Sequence, residues 1–450
     1  MLYSIQMARL FTSLTDLENE INPILGNSID PKVTDQKKLR DVLIDNLIYN
    51  ALFHTDSVIK EKSGELIQLV AASSSIKSSS IYPLYRAIGH KEISGFVVPA
   101  INIRTLTFDI TRSILRLMKE RNIGVVIFEI ARSEMKYTQQ TPKEFALSVL
   151  AAAIKENYVG PIFIQGDHFQ FNKENVIKNR DEEINNIQQL IAKSIAAGFY
   201  NIDIDASTLV DLTQPDIVEQ QKLNSEMTAL LTEFIRKNQP SETTISIGGE
   251  IGHIGDKNST LSDFEAFMTQ YLQNISSIGI SKVSVQTGSS HGGTPLPDGT
   301  LQEVKLDFSV LKTIGEIAQG KYHLAGAVQH GASTLPLSDF DQLVNNGTVE
   351  VHLATALQNI VYDYLPDGIK KDMSEWVIAN LSQDMSSEQT HEQFIYKNRK
   401  KALGPFKKAI WDLPEKDKNI ILGHIESYLI PIFDKIRISN TKSLTDPYFS

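Results

Sequence analysis

A regular alternation of short apolar strands with helices constrains this chain more than any other feature of its sequence. From Gly95 onward the sequence predicts eight strand–helix units in about 270 residues, which is the number and size of an α/β fold of the (β/α)8, or TIM barrel, type. The predicted strands span 96–102, 124–130, 161–166, 200–205, 244–250, 282–287, 322–328 and 348–353. A doubly wound open sheet is the alternative, but Asn102-Ile103-Arg104 is not the glycine-rich dinucleotide loop that such a sheet needs after its first strand. The pattern favours the barrel.

Helical patterns flank the predicted barrel on both sides. Residues 1–94 predict a helical N-terminal extension and a serine-rich linker, residues 95–365 the barrel, and residues 366–450 a helical C-terminal extension. Inside the barrel, Ser262 is the expected N-cap of the helix that follows the fifth strand. The C-terminal extension contains the basic run 397–401, and the overlapping segment 400–407 is interpreted as a solvated basic face, with a phosphate-binding segment as the alternative.

Composition excludes several classes of function and of site. The net charge of −10, without a stripe of Lys and Arg, argues against nucleic-acid binding. The chain has no cysteine, so any transition metal must be bound by histidines and carboxylates. The N-terminus lacks the continuous apolar segment of a secretory signal, and no stretch approaches the roughly 18 apolar residues of a membrane span. We therefore expect a cytoplasmic protein with neither a nucleic-acid nor a membrane partner.

Five predicted strands end in a side chain that can bind a metal. These side chains are His168, Asp205, Glu250, His291 and His330. The carboxyl ends of barrel strands share one face, so we expect the five to converge there. Three histidines with an open coordination position suit Zn²⁺, and Asp205 and Glu250 would provide a second arrangement of ligands. By strand alternation, Asp167 points away from its neighbour His168, in a position for proton transfer.

Two loops at this face are rich in small residues. Gly292-Gly293-Thr294 follows His291, and Gly331-Ala332-Ser333-Thr334 follows His330. Backbone N–H groups of such loops can bind a phosphate, although tight barrel loops alone would have the same composition. In the glycine-dense segment 248–255, His253 is an additional candidate ligand.

Six motifs, in order along residues 95–365, resemble those of the class II, metal-dependent fructose-bisphosphate aldolases and their tagatose-bisphosphate relatives. The matching segments are Pro99-Ala100-Ile101-Asn102, Asp167-His168, Ile204-Asp205-Ala206-Ser207, Glu250-Ile251-Gly252-His253-Ile254-Gly255, Gly288-Ser289-Ser290-His291-Gly292 and His330-Gly331-Ala332-Ser333. The resemblance implies an aldehyde-lyase of carbohydrate metabolism, such as glycolysis, that reversibly cleaves a ketose phosphate. It also implies a homo-oligomer, either a dimer or a tetramer.

The resemblance assigns roles to individual residues. One catalytic Zn²⁺ on His168, His291 and His330 would polarise the ketose carbonyl, and Asp167 would move the hydroxyl proton. Asp205 and Glu250 would hold a second divalent cation or an alternate metal position. The substrate contacts are expected from Asn102, Gly292, Gly331, Ser333, Arg132, His352 and Thr355.

The sequence departs from the family in the half of the site that binds substrate. The strand-eight motif Asn-x-Asp is His352-Leu353-Ala354 here, and the phosphate-binding Ser after strand two aligns with Ala131, beside Arg132. The only acid left near the expected position of the mobile-loop acid is Asp256. Two alternatives therefore stay open: a metal-dependent barrel lyase acting on another sugar or sugar acid, and a catalytically silent binding protein. Retention of the three histidines and Asp167 argues against the silent protein.

Overall fold

Eight parallel strands close into a barrel in the computed structural model, which describes residues 8–27, 31–252, 257–288, 305–386 and 389–449. The strands are β1 (Val98–Asn102), β2 (Ile127–Ala131), β3 (Gly160–Gln170), β4 (Asn201–Asp205), β5 (Ser246–Glu250), β6 (Lys282–Val285), β7 (Ala327–Gln329) and β8 (Glu350–Leu353). β8 pairs with β1 through Val98 and Glu350, which closes the ring. The predicted (β/α)8 barrel is confirmed.

Helices between the strands cover the outside of the barrel. They span Thr107–Glu120, Arg132–Thr138, Pro142–Lys155, Lys173–Ala196, Ile217–Asn238, Leu261–Gln273, Phe308–Tyr322, Phe340–Asn345 and Thr355–Tyr364. The N-cap of Leu261–Gln273 is Thr260, so the expectation of Ser262 is wrong. Thr260 is extended and its hydroxyl accepts from the Asp263 N–H (3.2 Å), while the Asp263 carboxylate accepts from the Thr260 N–H (2.8 Å). This reciprocal capping box satisfies two N–H groups that the helix leaves open.

The N-terminal extension is helical and contributes one short strand. Its helices span Leu14–Leu25, Gln36–Lys38, Leu39–Leu43, Ile44–Phe53, Ser57–Ser73 and Tyr82–Gly89. The strand Ile76–Ser78 lies within the serine-rich stretch that the sequence analysis interpreted as a linker, and it pairs in parallel with the start of β3. Its single apolar side chain, Ile76, is buried. The strand was not predicted because its other two residues are polar.

The C-terminal extension is helical, and its last residues, 436–449, pack against the N-terminal end of the barrel. It contains the helices Asp367–Leu381, His391–Asn398, Lys407–Trp411, Glu415–Lys435 and Lys442–Thr445. The N–H of Val97, just before β1, donates to Ile436 O (3.0 Å), and the N–H of Asn440 donates to Arg121 O (2.9 Å). Within the described ranges, a pocket lies at the carboxyl end of the barrel. Among the described residues, no helix has both the length and the apolar character needed to cross a membrane.

Candidate active site

His168 occupies an irregular end of β3. Pairing between β3 and β4 shifts register between Gly166 and Phe169, and His168 adopts a left-handed φ of 41°. A Cβ at position 166 would lie 2.4 Å from the Phe169 ring, so only glycine fits beneath the turn. Left-handed backbone at a non-glycine residue is strained, and such strain commonly persists at functional sites. The irregularity supports His168 as a functional residue.

Three carboxylates surround the His168 imidazole. Its Nδ1 lies 3.0 Å from Asp205 Oδ2 and 3.1 Å from Glu250 Oε2, and its Nε2 lies 3.7 Å from Asp167 Oδ1. Burial would lower the pKa of His168, but these carboxylates outweigh burial and raise it. Burial, followed by the charge of Asp205, raises the pKa of Glu250 to about 7. The three carboxylates repel one another, and a bound cation would reduce that repulsion.

A second histidine, His330 at the end of β7, completes a group of possible ligands. The His168 and His330 ring centroids are 4.4 Å apart, and His330 Nε2 lies 2.9 Å from the Ser284 hydroxyl oxygen. His168, Glu250 and His330 each offer one ligand atom, and the three atoms lie within 4.8 Å of one another. Two imidazoles and a carboxylate are a donor set that Zn²⁺ accepts with a coordination position left open. The residues therefore fit a catalytic divalent metal.

Asp205 is held firmly beside this group. Its Oδ1 accepts from the Ser207 N–H (3.0 Å) and the Ser207 hydroxyl (2.6 Å), and its Oδ2 accepts from the Gln170 side-chain amide (2.5 Å). Burial alone would raise the pKa of Asp205, but hydrogen bonds from His168, Ser207 and Gln170 lower it to about 2. Asp205 is therefore an anion that orients His168.

Asp167 lines the same pocket on the Nε2 side of His168, so at this irregular strand end the two side chains do not point apart as strand alternation predicts. Burial and the nearby charge of Glu129 raise the pKa of Asp167 to about 6. Asn102 Nδ2 lies 3.4 Å from Asp167 Oδ2, and it also donates to Glu134 (2.7 Å). A buried carboxyl group that titrates near neutrality is suited to general acid–base chemistry.

His352, at the strand-eight position where the sequence leaves the family pattern, forms part of the pocket floor. Its Nδ1 lies 3.0 Å from Glu129 Oε1, and its Nε2 lies 2.7 Å from Glu350 Oε1. Its ring stacks on His330 with centroids 3.9 Å apart and planes inclined by 26°. Both ring nitrogens therefore face protein carboxylates, and the ring face contacts a candidate metal ligand.

The pocket above these residues has a volume of about 470 Å³ and a cationic wall. Four cations line it, namely Arg104, Arg132, Lys136 and Lys400. Arg104 donates to Glu134 (2.7 Å) and Gln358 (2.9 Å), and Arg132 donates to the backbone oxygen of Gln170 (2.6 Å) and pairs with Glu183.

Two of the wall cations carry uncompensated charge. Within the described part of the chain, neither Lys136 nor Lys400 forms an ion pair. Lys400, the first residue of the segment 400–407, lines the pocket, so at this residue the segment is more than a solvated face.

The structure brings most of the predicted site residues to one face. Gly331, Ser333 and Thr355 line the same pocket as Asp167, His168 and His330. Gly331 has a left-handed φ of 69°, a conformation that favours glycine, and the Ser333 hydroxyl accepts from the Ala354 N–H (2.8 Å). Asn102 is buried beside Asp167. The predicted residues His291, Gly292, His253 and Asp256 lie outside the described residues.

A buried polar and charged group beneath the pocket was not predicted from the sequence. We call it the interior cluster, and it consists of Glu129, Gln165, Asp203, Lys282 and Glu350. In the strands that contribute to it, polar residues alternate with apolar ones, as in Asn201-Ile202-Asp203-Ile204-Asp205 and Glu350-Val351-His352. Because side chains alternate across a strand, this period-two pattern was the available signal for polar side chains inside the barrel.

Comparison with known proteins identifies the same family as the motifs. The family described as fructose-bisphosphate aldolase class-II matches residues 85–412. Among solved structures, a probable tagatose 6 phosphate kinase from Sinorhizobium meliloti 1021 is 16% identical, with a TM-score of 0.52 over 78% of this chain and 99% of that one. Fructuronate-tagaturonate epimerase UxaE from Cohnella laeviribosi is 12% identical, with a TM-score of 0.53 over 84% of this chain and 85% of that one. At these identities the two structures show a shared fold.

Proposed function

Because the chain belongs to the class II fructose-bisphosphate aldolase family, as a divergent member, we propose that it is a zinc-dependent aldehyde-lyase that reversibly cleaves a ketose phosphate. The observation that carries this proposal is the group formed by His168, Glu250 and His330 at the carboxyl end of the barrel, with Asp167 beside it. His291 would be a further ligand. A bound divalent cation would polarise the ketose carbonyl as a Lewis acid.

Asp167 would move the proton of the hydroxyl group whose carbon–carbon bond breaks. It is buried beside the candidate ligands, and its pKa of about 6 allows it to accept and return a proton near neutral pH. Asn102 would orient the Asp167 carboxylate, because its side-chain amide reaches both Asp167 and Glu134. Asp205 and Glu250 would fix His168 or hold a second cation.

The cationic wall would bind the anionic end of the substrate. Lys136 and Lys400 have no carboxylate partner among the described residues, so their charge is available to a phosphate. Arg132 is already bound to Glu183, and we infer that it orders the wall and contacts the substrate only as a secondary partner. Gly331, Ser333 and Thr355 would contact the other end of the substrate, beside the metal.

A second candidate is a metal-dependent lyase that acts on a different sugar or on a sugar acid. The observation favouring it is the altered strand eight, where His352 directs both nitrogens at protein carboxylates and Ala354 offers no polar side chain. A site that lacks the hydrogen-bonding groups for a substrate hydroxyl loses much of its preference for that substrate. Lysines bind a carboxylate as well as a phosphate, so the cationic wall is compatible with either candidate.

A cleavage screen separates the candidates. The protein is stripped with a chelator, reloaded with Zn²⁺, and assayed for aldehyde release on a panel of ketose phosphates and sugar acids. We expect zinc-dependent cleavage of a ketose phosphate, with kcat/KM on fructose 1,6-bisphosphate below about 10⁴ M⁻¹s⁻¹, the lower end of the ordinary enzyme range. A higher value on fructose 1,6-bisphosphate would show an ordinary glycolytic aldolase. Cleavage of sugar acids alone would favour the second candidate, and no zinc-dependent turnover on any compound would contradict both.

A further inference from the structure

The interior cluster occupies a part of the barrel that is ordinarily filled by branched apolar side chains. Four of its members come from the even-numbered strands: Glu129 from β2, Asp203 from β4, Lys282 from β6 and Glu350 from β8. Lys282 is only 1% exposed, and Glu129 and Glu350 are fully buried. Taking charged side chains out of water costs free energy of folding even when they are paired. We therefore expect that an apolar cluster of the same volume would stabilise the barrel as well or better.

Lys282 is the centre of the cluster. Its Nζ donates to Gln165 Oε1 (2.9 Å) and Asp203 Oδ2 (3.0 Å), and it also donates to Glu350 Oε1. These three acceptors match the three N–H donors of an ammonium group. At the neighbouring position on β5, a Cβ on Gly248 would lie 2.2 Å from Asp203 Oδ1 and 2.9 Å from Lys282 Cε, so glycine makes room for the pair.

Glu350 connects this centre to the pocket floor. Besides Lys282, it accepts from the Tyr85 hydroxyl and from Gln165 Nε2 (3.1 Å), and it contacts His352 Nε2. Gln165 Nε2 also donates to Glu129 (2.9 Å), the carboxylate on the other nitrogen of His352. The two glutamates therefore hold His352 from both sides, with Gln165 joining them beneath the ring.

His352 links the interior cluster to the candidate metal site by packing on His330. Its ring lies parallel to that of His330 within 26°, at a centroid distance of 3.9 Å. Any rotation of His352 would therefore move the surface against which His330 packs. Groups that orient a metal ligand from outside the coordination sphere commonly change metal affinity by about 10- to 100-fold when they are removed.

We propose that Lys282 is a positioning residue, whose ammonium group keeps Glu350 in place so that Glu350 and Glu129 hold His352 against His330. The inference rests on the metal centre of the proposed function. A purely structural role is the competing explanation, in which Lys282 only neutralises the buried acids Asp203 and Glu350. The two explanations differ for a variant that loses one buried negative charge together with the ammonium group. A purely structural role predicts that both stability and Zn²⁺ affinity return, whereas a positioning role predicts that only stability returns.

Three variants of the full chain test the proposal: Lys282→Met, the double variant Lys282→Met/Glu350→Gln, and the control Lys321→Met. Lys321 pairs with Glu265 at the surface (2.7 Å), so its loss removes an ammonium group far from the cluster. Stability is measured by urea unfolding of the metal-free proteins. Zn²⁺ affinity is measured by competition with a chromophoric chelator.

We expect Lys282→Met to lose stability and the double variant to regain most of it, since one buried negative charge is removed with the ammonium. The double variant should still bind Zn²⁺ at least about tenfold more weakly than wild type, because a neutral amide at position 350 no longer holds His352 by charge. Wild-type Zn²⁺ affinity in the double variant would overturn the proposal. So would a double variant no more stable than Lys282→Met. Absence of Zn²⁺ binding in wild type and Lys321→Met would instead contradict the metal centre itself, and this inference with it.

Discussion

His168 shows how single residues define this site. It combines a left-handed backbone, contact with three carboxylates, and a ring 4.4 Å from that of His330. Neighbouring Asp167 has a different environment, since its carboxyl group is buried and lies within 3.5 Å of His352. Two adjacent residues on one strand end are therefore suited to separate tasks, metal binding and proton transfer.

Asp167→Ala tests this division of roles. We expect its metal content to equal that of wild type, because Asp167 is not needed in the group of His168, Glu250 and His330. Turnover on the substrate identified by the cleavage screen should fall by roughly 10²- to 10⁴-fold, the usual contribution of a positioned acid or base. Elemental analysis and steady-state kinetics measure the two effects. Asp363→Ala, at an exposed acid, is the control, and near-normal turnover in Asp167→Ala would make Asp167 structural.

The sequence predicted the ends of the strands better than their interiors. Asp167-His168, Asp205, Glu250 and His330 stand out because polar residues end apolar runs, and the structure brings them together. The interior cluster could not be recognised in the same way, since Lys282 lies in a segment with the pattern of an ordinary strand and its partners come from three other strands. The ion pair of Arg132 could not be predicted either, because its partner Glu183 lies 51 positions away in the sequence.

At the scale of whole elements, the C-terminal extension contributes to the pocket. The 3-10 helix Arg399–Ala402 places Lys400 in the pocket wall, where its Nζ lies 5.8 Å from the centre of the Tyr137 ring. Burial, followed by the charge of Arg104, lowers the pKa of Lys400 despite the opposing charge of Glu134, and no described carboxylate pairs with its ammonium group directly. An anionic substrate would supply the missing counter-charge.

Lys400→Met should therefore weaken substrate binding more than catalysis. We expect KM for an anionic substrate to rise about tenfold, equivalent to ~1.4 kcal/mol, with kcat nearly unchanged. Lys397→Met, an exposed lysine of the same basic run, is the matched control and should leave both constants unaltered. Equal kinetics for Lys400→Met and wild type would exclude Lys400 from the substrate site.

In the described part of the chain, one end of the barrel is covered and the carboxyl end holds the pocket. The C-terminal segment covers the N-terminal end, where Phe449 packs on Phe163 with ring centroids 4.7 Å apart. The approach is close at Gly124, where an added Cβ would lie 1.9 Å from Thr445 Oγ1 and 2.9 Å from Lys442 Cα. The helical character of this segment was predictable from its pattern, but the place where it packs was not, since the packing depends on contacts with residues as far as 317 positions away in the sequence.

Gly124→Ala tests whether this packing stabilises the barrel. The new methyl group would displace backbone as well as side-chain atoms, so we expect a loss of about 1–3 kcal/mol in the free energy of unfolding. Gly320→Ala is the control, because a Cβ there meets no atom within 4 Å and the position lies inside the helix Phe308–Tyr322. That substitution should be neutral or stabilising by up to about 1 kcal/mol. Urea unfolding measures both, and an unchanged Gly124→Ala protein would show that the segment is loosely attached.

Metal content measured together with cleavage tests the central claim most directly. Wild type and His330→Ala are purified in parallel, loaded with Zn²⁺, freed of excess metal, and analysed for zinc and for cleavage of the best ketose phosphate. We expect about one zinc per wild-type chain, and loss of both zinc and cleavage in His330→Ala, because catalytic zinc sites depend on each of their few protein ligands. Full zinc retention by His330→Ala, or cleavage by wild-type protein that holds no metal, would contradict it.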